Sequence, residues 1–491
     1  MAGVGFELKK LFRARTAVGH VKAYAYASVV TTGPFLLMTG MVLAVQLLFS
    51  AHGVAAEDAM LFVASVAYVF VFSQLLSSGF VMVLTRYLAD CLSVGHYRNV
   101  TASLFGMGAL LTLLGSAVAA VFFAASPLGF AEAGLTYVFF LELLLIWTQS
   151  VYLTAIKKFQ RLLTGFAASV SLSVALCAGL LAAGWPAPVR AALLSMDVGM
   201  GLLVCLFFVH IAQYFGLPRD GQHFAFLPYF ERHWRLFFSA LFYTAGIFLP
   251  NFLVWLGPWG VTVAGTYRCA PGYDAVTFFA FLSILPLMVL FVVAAETRFY
   301  EKYAAYFDAI TRRGNLREIQ DARRELIYTL WFELQQVVEF QFVFTLVFLA
   351  LGGYILSLAG VDYHLVSLYD VLLFAVFFTG ILQLLIVLLT YFDIQKFVLR
   401  TAAVFLAANA VFGALGFLFL GAAGYGFTFF LAAGLGLAAG WRYLSQFARR
   451  IDYYVYCAQP VFYRPPQGVL TRLTRWLYGA RYVDLERGQE P

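Results

Sequence analysis

The chain has 491 residues, 63% of them hydrophobic and only 12% charged, about half the charged share of an ordinary soluble domain. So little charge cannot cover a water-facing surface, which excludes a soluble globular protein and, on the same numbers, a disordered chain, a coiled coil or a disulfide scaffold. The net charge of +7 is read as a matter of membrane orientation rather than nucleic-acid binding, and the five scattered cysteines show no paired spacing for a metal or disulfide framework.

Residues 1–22 are basic and amphipathic and lack the short apolar core and cleavage site of a secretory signal. Apolar runs long enough to cross a bilayer follow at 23–50, 59–84, 102–124, 135–156, 163–184, 191–215, 236–257, 275–295, 338–359, 366–390, 401–420 and 427–445. The stretch from Thr401 to Gly440 carries no charge and is too long for one crossing, so Gly421, Gly424 and Gly426 are read as the turn between the last two spans. The predicted fold is an all-α polytopic membrane protein of about twelve transmembrane helices in two six-helix halves, 23–215 and 236–446. A linker at 216–235 joins them, and a basic, aromatic tail at 447–491 is suited to anionic headgroups.

Charge tests that count. With the N-terminus inside, 30 of the 32 basic residues fall in inward loops and tails, and only Arg190 and Arg268 fall outside. The positive-inside rule predicts this asymmetry, which places both termini in the cytoplasm. Eight of the 25 acidic residues lie outside or in the outer half of a span, leaving that side at −6 and the inner side at +13. Topology alone produces an unbalanced outer face; an acidic outer cavity is the functional alternative.

Four of those acids are candidates for a substrate path. Glu142 and Asp197 each sit about six residues inside the outer end of a predicted span, about 9 Å deep, where a carboxylate faces water or a partner rather than lipid. Asp274 and Asp370 lie near the outer rim. A satisfied structural carboxylate competes with a negative lining for a substrate path, with Tyr137, Trp147 and Tyr152 as aromatic stacking candidates beside it. Gly33 and Pro34 in the first span and Pro250 in the seventh sit at similar depths. They mark candidate hinges in two moving elements, or mere packing.

The largest polar insertion, 296–336, reads as a helical hairpin broken at Gly314-Asn315, with Asn315 capping its second arm and Tyr300, Tyr303, Phe307 and Ile310 on one apolar stripe. It either packs onto the protein's own inner face or docks a cytoplasmic partner through Arg323 and Arg324. No lysine follows a glycine, so a phosphate-binding Gly-Lys-Ser/Thr loop is missing. No zinc-protease or nucleophile-elbow motif occurs, and the histidines are isolated; no metal, cofactor or enzymatic activity is expected.

The opening MAGVGFELKKLF, AYAYA at 23–27, Thr32-Gly33-Pro34, TRYLAD at 85–90, ETRFYEKYAAYFDAI at 296–310, ARRELI at 322–327 and YFDIQ at 391–395 resemble the PelG family of bacterial Pel exopolysaccharide exporters. Cys91 departs from the pattern, standing where a basic residue is expected. The resemblance implies a twelve-helix fold similar to the multidrug/oligosaccharidyl-lipid/polysaccharide exporter superfamily. It also implies export of a partly deacetylated, cationic aminosugar polymer across the bacterial inner membrane. Implied partners are the cytoplasmic glycosyltransferase PelF and the membrane proteins PelD and PelE. An ion-coupled small-molecule antiporter of the same fold and a membrane scaffold of a polysaccharide synthase complex are the alternatives.

Overall fold

A computed structural model describes residues 17–95, 97, 100–156, 158–218, 221–311, 314–358, 360–457 and 467–479. The first part of the amphipathic start (1–16) and the tail at 458–466 and 480–491 lie outside the described residues. Twelve helices among the described residues are long and apolar enough to cross a membrane. The first six are α1 (Ala17–Ala51), α2 (Ala56–Ser93), α3 (Val100–Ala124), α4 (Phe130–Ala155), α5 (Phe159–Ala182) and α6 (Pro188–Phe215). A short α7 (Leu227–Arg232) in the linker leads into α8 (Trp234–Leu256). The eighth span is split into α9 (Pro271–Leu282) and α10 (Leu285–Ala294), followed by α11 (Tyr300–Thr311), α12 (Leu316–Leu358), α13 (Val366–Tyr391), α14 (Gln395–Leu415) and α15 (Phe427–Arg449). A last helix, α16 (Val469–Tyr478), follows in the tail.

Two buried clusters mark the two halves, one drawing residues from Met38 to Tyr229 and the other from Val254 to Ile451. Lipid tails are as apolar as leucine, so helices associate through close packing and interhelical hydrogen bonds rather than hydrophobic expulsion. In the first half α1 packs on α5, α2 on α4, and α4 and α5 on α6. Ser169 on α5 donates to the Gly199 carbonyl of α6 at 2.6 Å. In the second half α8 packs on α14, and both α13 and α14 pack on α15. The predicted glycine turn is present: Gly421 and Gly426 have φ of 54° and 83°, a region open to residues without a Cβ.

Three features differ from the sequence-based expectation. Helices α1 and α8 run unbroken through Pro34 and Pro250. The interruption falls instead at Ser283-Ile284, before Pro286, whose missing N–H costs nothing in the first turn of α10. The Ser283 carbonyl freed there accepts from Nε2 of the fully buried Gln341 on α12 at 2.8 Å. Gly380 on α13 makes room for the break, since a Cβ there would lie 2.5 Å from Ile284 and 2.6 Å from Leu287. Second, the far arm of the 296–336 hairpin is not separate from the ninth span; no breaker follows Gln336, and both form the single 43-residue α12.

Third, the chain is not purely helical. Strands β1 (Val261–Val263) and β2 (Tyr267–Cys269) pair antiparallel, with Val261 opposite Cys269 and Val263 opposite Tyr267. Three residues link the strands, and Ala264 and Gly265 both have positive φ, 47° and 64°, as the central pair of a type I′ turn demands, with the Thr266 N–H donating to the Val263 carbonyl at 3.0 Å. The alternating β-branched and aromatic residues of VTV-AG-TYRC carried that signal, weakened because Ala-Gly replaces the usual Asn-Gly.

Candidate functional site between the halves

The halves meet where α2 lies along α8 and α1 touches α10. The α2–α8 seam is aromatic. Phe72 stacks on Phe252 with centroids 5.6 Å apart, and Phe80 meets Phe237 edge-on at 5.1 Å. Gly79 admits the Phe237 ring, which a Cβ would approach to 2.7 Å.

At the hairpin end, Tyr68 of α2 is the hub. Its hydroxyl donates to the Arg268 carbonyl at 2.8 Å and accepts from the Arg268 N–H at 2.9 Å. Its ring stacks on Trp255 of α8 at 5.2 Å and 9°, and meets Tyr267 edge-on at 4.9 Å. Ser126, just past α3, shares a 2.7 Å hydroxyl contact with Thr266 on the hairpin. Behind this closure sits Asp274. It accepts from Asn251 Nδ2 and Trp255 Nε1 at 2.9 Å each and from the Ala270 N–H at 3.0 Å. A carboxylate with these donors joins α8 to α9, so this predicted path residue has a structural task.

The α7 end is held by charge. Arg86 of α2 pairs with Asp90 at 3.3 Å and, across the seam, with Asp393 between α13 and α14 at 3.6 Å. Gln395 Nε2 donates to both Asp393 and His233 Nδ1, at 2.9 Å each. His233, in the turn between α7 and α8, is thus held as the neutral ring. Burial, reinforced by the Arg86 and Arg232 cations, pushes it down to about 4. The closing residues Tyr68, Trp255, Arg86 and Asp393 were not legible beforehand. Each acts through a partner far away in sequence; the basic map set Arg268 apart, and the TRYLAD and YFDIQ stretches held Arg86 and Asp393 without giving them a role.

The remaining predicted residues fall in separate places. Helix α4 begins at Phe130, so Glu142 lies twelve residues in, about 18 Å along the axis. Asp197 lies nine residues into α6, about 13 Å, because both helices extend past their apolar runs. Glu142 Oε1 would be 3.1 Å from a Cβ on Gly201 of α6, one turn from Asp197 on that helix, so the two acids share the α4–α6 interface of the first half. Asp197 is buried with neither oxygen hydrogen-bonded among the described residues, and Glu142 Oε2 is likewise unmatched. Gln149, two turns along α4 and absent from the sequence-based candidates, adds an unmatched Oε1. Asp370 sits half-buried on α13 of the second half.

Tyr137 bonds Ser116, Tyr152 bonds Ser103 and Trp147 bonds Ser73, each inside the first half. Gly33 is a packing point, where a Cβ would lie 2.6 Å from Leu163 of α5. Pro250 lines a small cavity with Tyr273, Asn409 and Gly413 in the second half.

On the 296–336 arms, Asn315 and Glu318 cap α12 reciprocally, Glu318 N–H to Asn315 Oδ1 at 2.9 Å and Asn315 N–H to Glu318 Oε2 at 3.0 Å. Tyr303 and Phe307 pack together, and Tyr303 meets Tyr391 and Phe392 at the end of α13. Tyr306 rather than Tyr300 is fully buried, so the stripe is rotated from its predicted position. Arg323 is engaged internally, bonding Asp452 at 2.7 Å and the Arg449 carbonyl at 3.3 Å. Arg324 stays 80% exposed.

Residues 1–456 match the family model described as "PelG: Putative exopolysaccharide Exporter (EPS-E)". No curated protein matches the sequence. Among solved structures, a mutant of the Vibrio cholerae MATE transporter VcmN is 14% identical, covers 92% of this chain and 100% of its own, and aligns with a TM-score of 0.62. A MOP superfamily transporter from Pyrococcus furiosus is 14% identical over 87% of this chain and 96% of its own, with a TM-score of 0.54. The eukaryotic MATE transporter AtDTX14 is 13% identical over 88% and 99%, with a TM-score of 0.57. Identities this low establish the shared two-halved transporter fold and nothing narrower.

Proposed function

This chain belongs to the PelG family of exopolysaccharide exporters, and on that premise we propose that it passes a cationic aminosugar polymer, Pel, from a cytoplasmic synthase across the bacterial inner membrane. In this reading both termini lie in the cytoplasm and the β-hairpin on the periplasmic side, as the distribution of basic residues supports. The observation that carries the reading is the seam. Two separately cored halves meet along aromatic faces, closed at one end by Tyr68 and the hairpin and at the other by Arg86 and Asp393. Phe72, Phe80, Phe237, Phe252 and Trp255 offer flat apolar faces to sugar rings once the halves part. Parting at both ends gives a path through which a polymer slides, whereas rocking between two closed states suits a ligand small enough to fit between them.

The glycosyltransferase PelF docks on the cytoplasmic arms of α11 and α12, where Arg324, Leu316 and Tyr328 remain open; PelD and PelE complete the assembly. Whether the Glu142–Asp197 pair of the first half joins that path is tested by polymer secretion from cells carrying Glu142→Gln with Asp197→Asn, which removes charge and keeps shape. An acidic path predicts reduced secretion at normal expression, restored when the polymer is more acetylated; untouched secretion removes the carboxylates from the path.

The unmatched Glu142–Asp197 pair favours a second reading, an ion-coupled small-molecule antiporter. Purified protein in proteoliposomes then moves a cationic dye against a proton or sodium gradient without any synthase. Absence of such transport in vesicles that still pass polymer with PelF excludes it.

A further inference from the structure

Helix α16 is turned the wrong way round for a helix packed on a protein. Its fully buried residues are the threonines Thr471 and Thr474, while Val469 and Trp476 are 78% and 80% exposed and Leu473 and Leu477 are exposed beside them. At 100° per residue these positions divide the helix into three faces about 120° apart. One, with Thr471 and Thr474, meets the protein. The second is wholly apolar, and the third carries Arg472 and Arg475. A helix in water buries its apolar stripe against its own protein; here that stripe stays exposed among the described residues.

The helix is also fixed in place. Glu231 on α7 accepts hydrogen bonds from the Leu470 and Thr471 N–H groups and from the Thr471 hydroxyl, capping the first turn from outside the helix. At the other end the Tyr478 hydroxyl accepts from the Phe224 N–H at 2.9 Å. Helix α7 runs directly into α8, a membrane span whose first residue, Trp234, is 44% exposed with the Arg235 guanidinium 5.2 Å from its ring centre. Tryptophan and arginine together at the start of a span mark the level of the headgroups. The anchors therefore hold α16 at the depth where a span begins, with an apolar face, a tryptophan and two cations exposed among the described residues.

We propose that α16 is an interfacial helix. Its Val469, Leu473, Trp476 and Leu477 enter the lipid boundary of the leaflet in which α8 begins, while Arg472 and Arg475 contact acidic phospholipid headgroups. The occupant is lipid rather than protein because the three faces match a bilayer edge: protein on one side, hydrocarbon on another, and cations toward the anionic layer.

The test uses the full chain in nanodiscs of phosphatidylcholine, with or without phosphatidylglycerol, carrying brominated acyl chains. Subtracting the Trp476→Phe spectrum isolates the Trp476 emission. Strong quenching by brominated lipid with little quenching by aqueous acrylamide is expected, more so in the acidic discs. Each arginine contributes about fivefold to the balance between seated and lifted helix, so Arg472→Gln with Arg475→Gln shifts that balance about 25-fold and abolishes the preference for acidic lipid. Trp476 open to acrylamide and blind to brominated lipid in both discs overturns the proposal. So does protection that arises only on adding a cytoplasmic protein fraction, which assigns the face to a protein partner.

Discussion

At the hairpin end the halves are joined by a tyrosine that both donates to and accepts from backbone, stacked on a tryptophan whose own N–H is held by Asp274. At the α7 end they are joined by an arginine 36% exposed, an aspartate equally exposed, and a histidine kept neutral. Directional bonds between neutral groups, packed beside stacked rings, are indifferent to salt; partly exposed charge pairs are weak and screened. The two ends thus differ in what loosens them: conformational force at the hairpin, solution conditions or a bound partner at α7.

The largest effect is expected at Asp274. Asp274→Ala leaves the Asn251, Trp255 and Ala270 donors unmatched and lowers stability by about 4 kcal/mol, read as a fall in the unfolding midpoint in detergent, whereas Asp274→Asn, which keeps an acceptor, costs clearly less. Next comes acid. A free histidine titrates near 6.5, so as pH falls through the window from about 6.5 to 4 the unfolded chain takes a proton that folded His233 refuses, its own value being about 4. Stability present at pH 7 therefore declines through that window by up to about 3 kcal/mol, and His233→Gln flattens the profile between pH 7 and 4. A steep profile retained in His233→Gln would place the titrating group elsewhere.

Tyr68→Phe removes one hydroxyl serving two bonds and costs about 2 kcal/mol, unchanged between low and high salt. Arg86→Ala costs under about 1 kcal/mol, and that cost vanishes in high salt. If the salt sensitivities of these two variants came out reversed, the contrast between the ends would be wrong. Smallest in stability, and informative for docking, is Arg324→Glu: no shift in unfolding, but loss of co-purifying PelF. Arg323→Glu is a poor test of docking, since it breaks the bonds to Asp452 and Arg449.

The twelve spans were legible because hydropathy and charge each constrain them independently: no residue between Thr401 and Gly440 is charged, and the basic residues gather in every second loop. The capping of α12 by Asn315 was legible because it is local. What lay beyond reach was set by distant partners. Ser283 breaks its span because Gln341, 58 residues away, takes its carbonyl. Tyr68 finds Arg268 across 200 residues. Asp274 stood out as an acid near the rim, yet two of its three donors, Asn251 and Trp255, come from the preceding span, and nothing in the residue type distinguishes a held carboxylate from a free one. Prolines misled for a related reason: Pro34 and Pro250 stood out beside Gly33 and Asn251, while Pro286 lay in an unbroken apolar run.

The central claim, that polymer passes by parting of the halves, is tested most directly by fastening the hairpin end. Ser126 and Thr266 face each other with hydroxyl oxygens 2.7 Å apart, so Ser126→Cys with Thr266→Cys puts two sulfurs within bonding reach. The account predicts that the oxidised double variant, inserted at normal levels, stops secreting polymer and recovers on addition of a reductant, while each single variant secretes throughout. Wild-type secretion from fully cross-linked protein would contradict it.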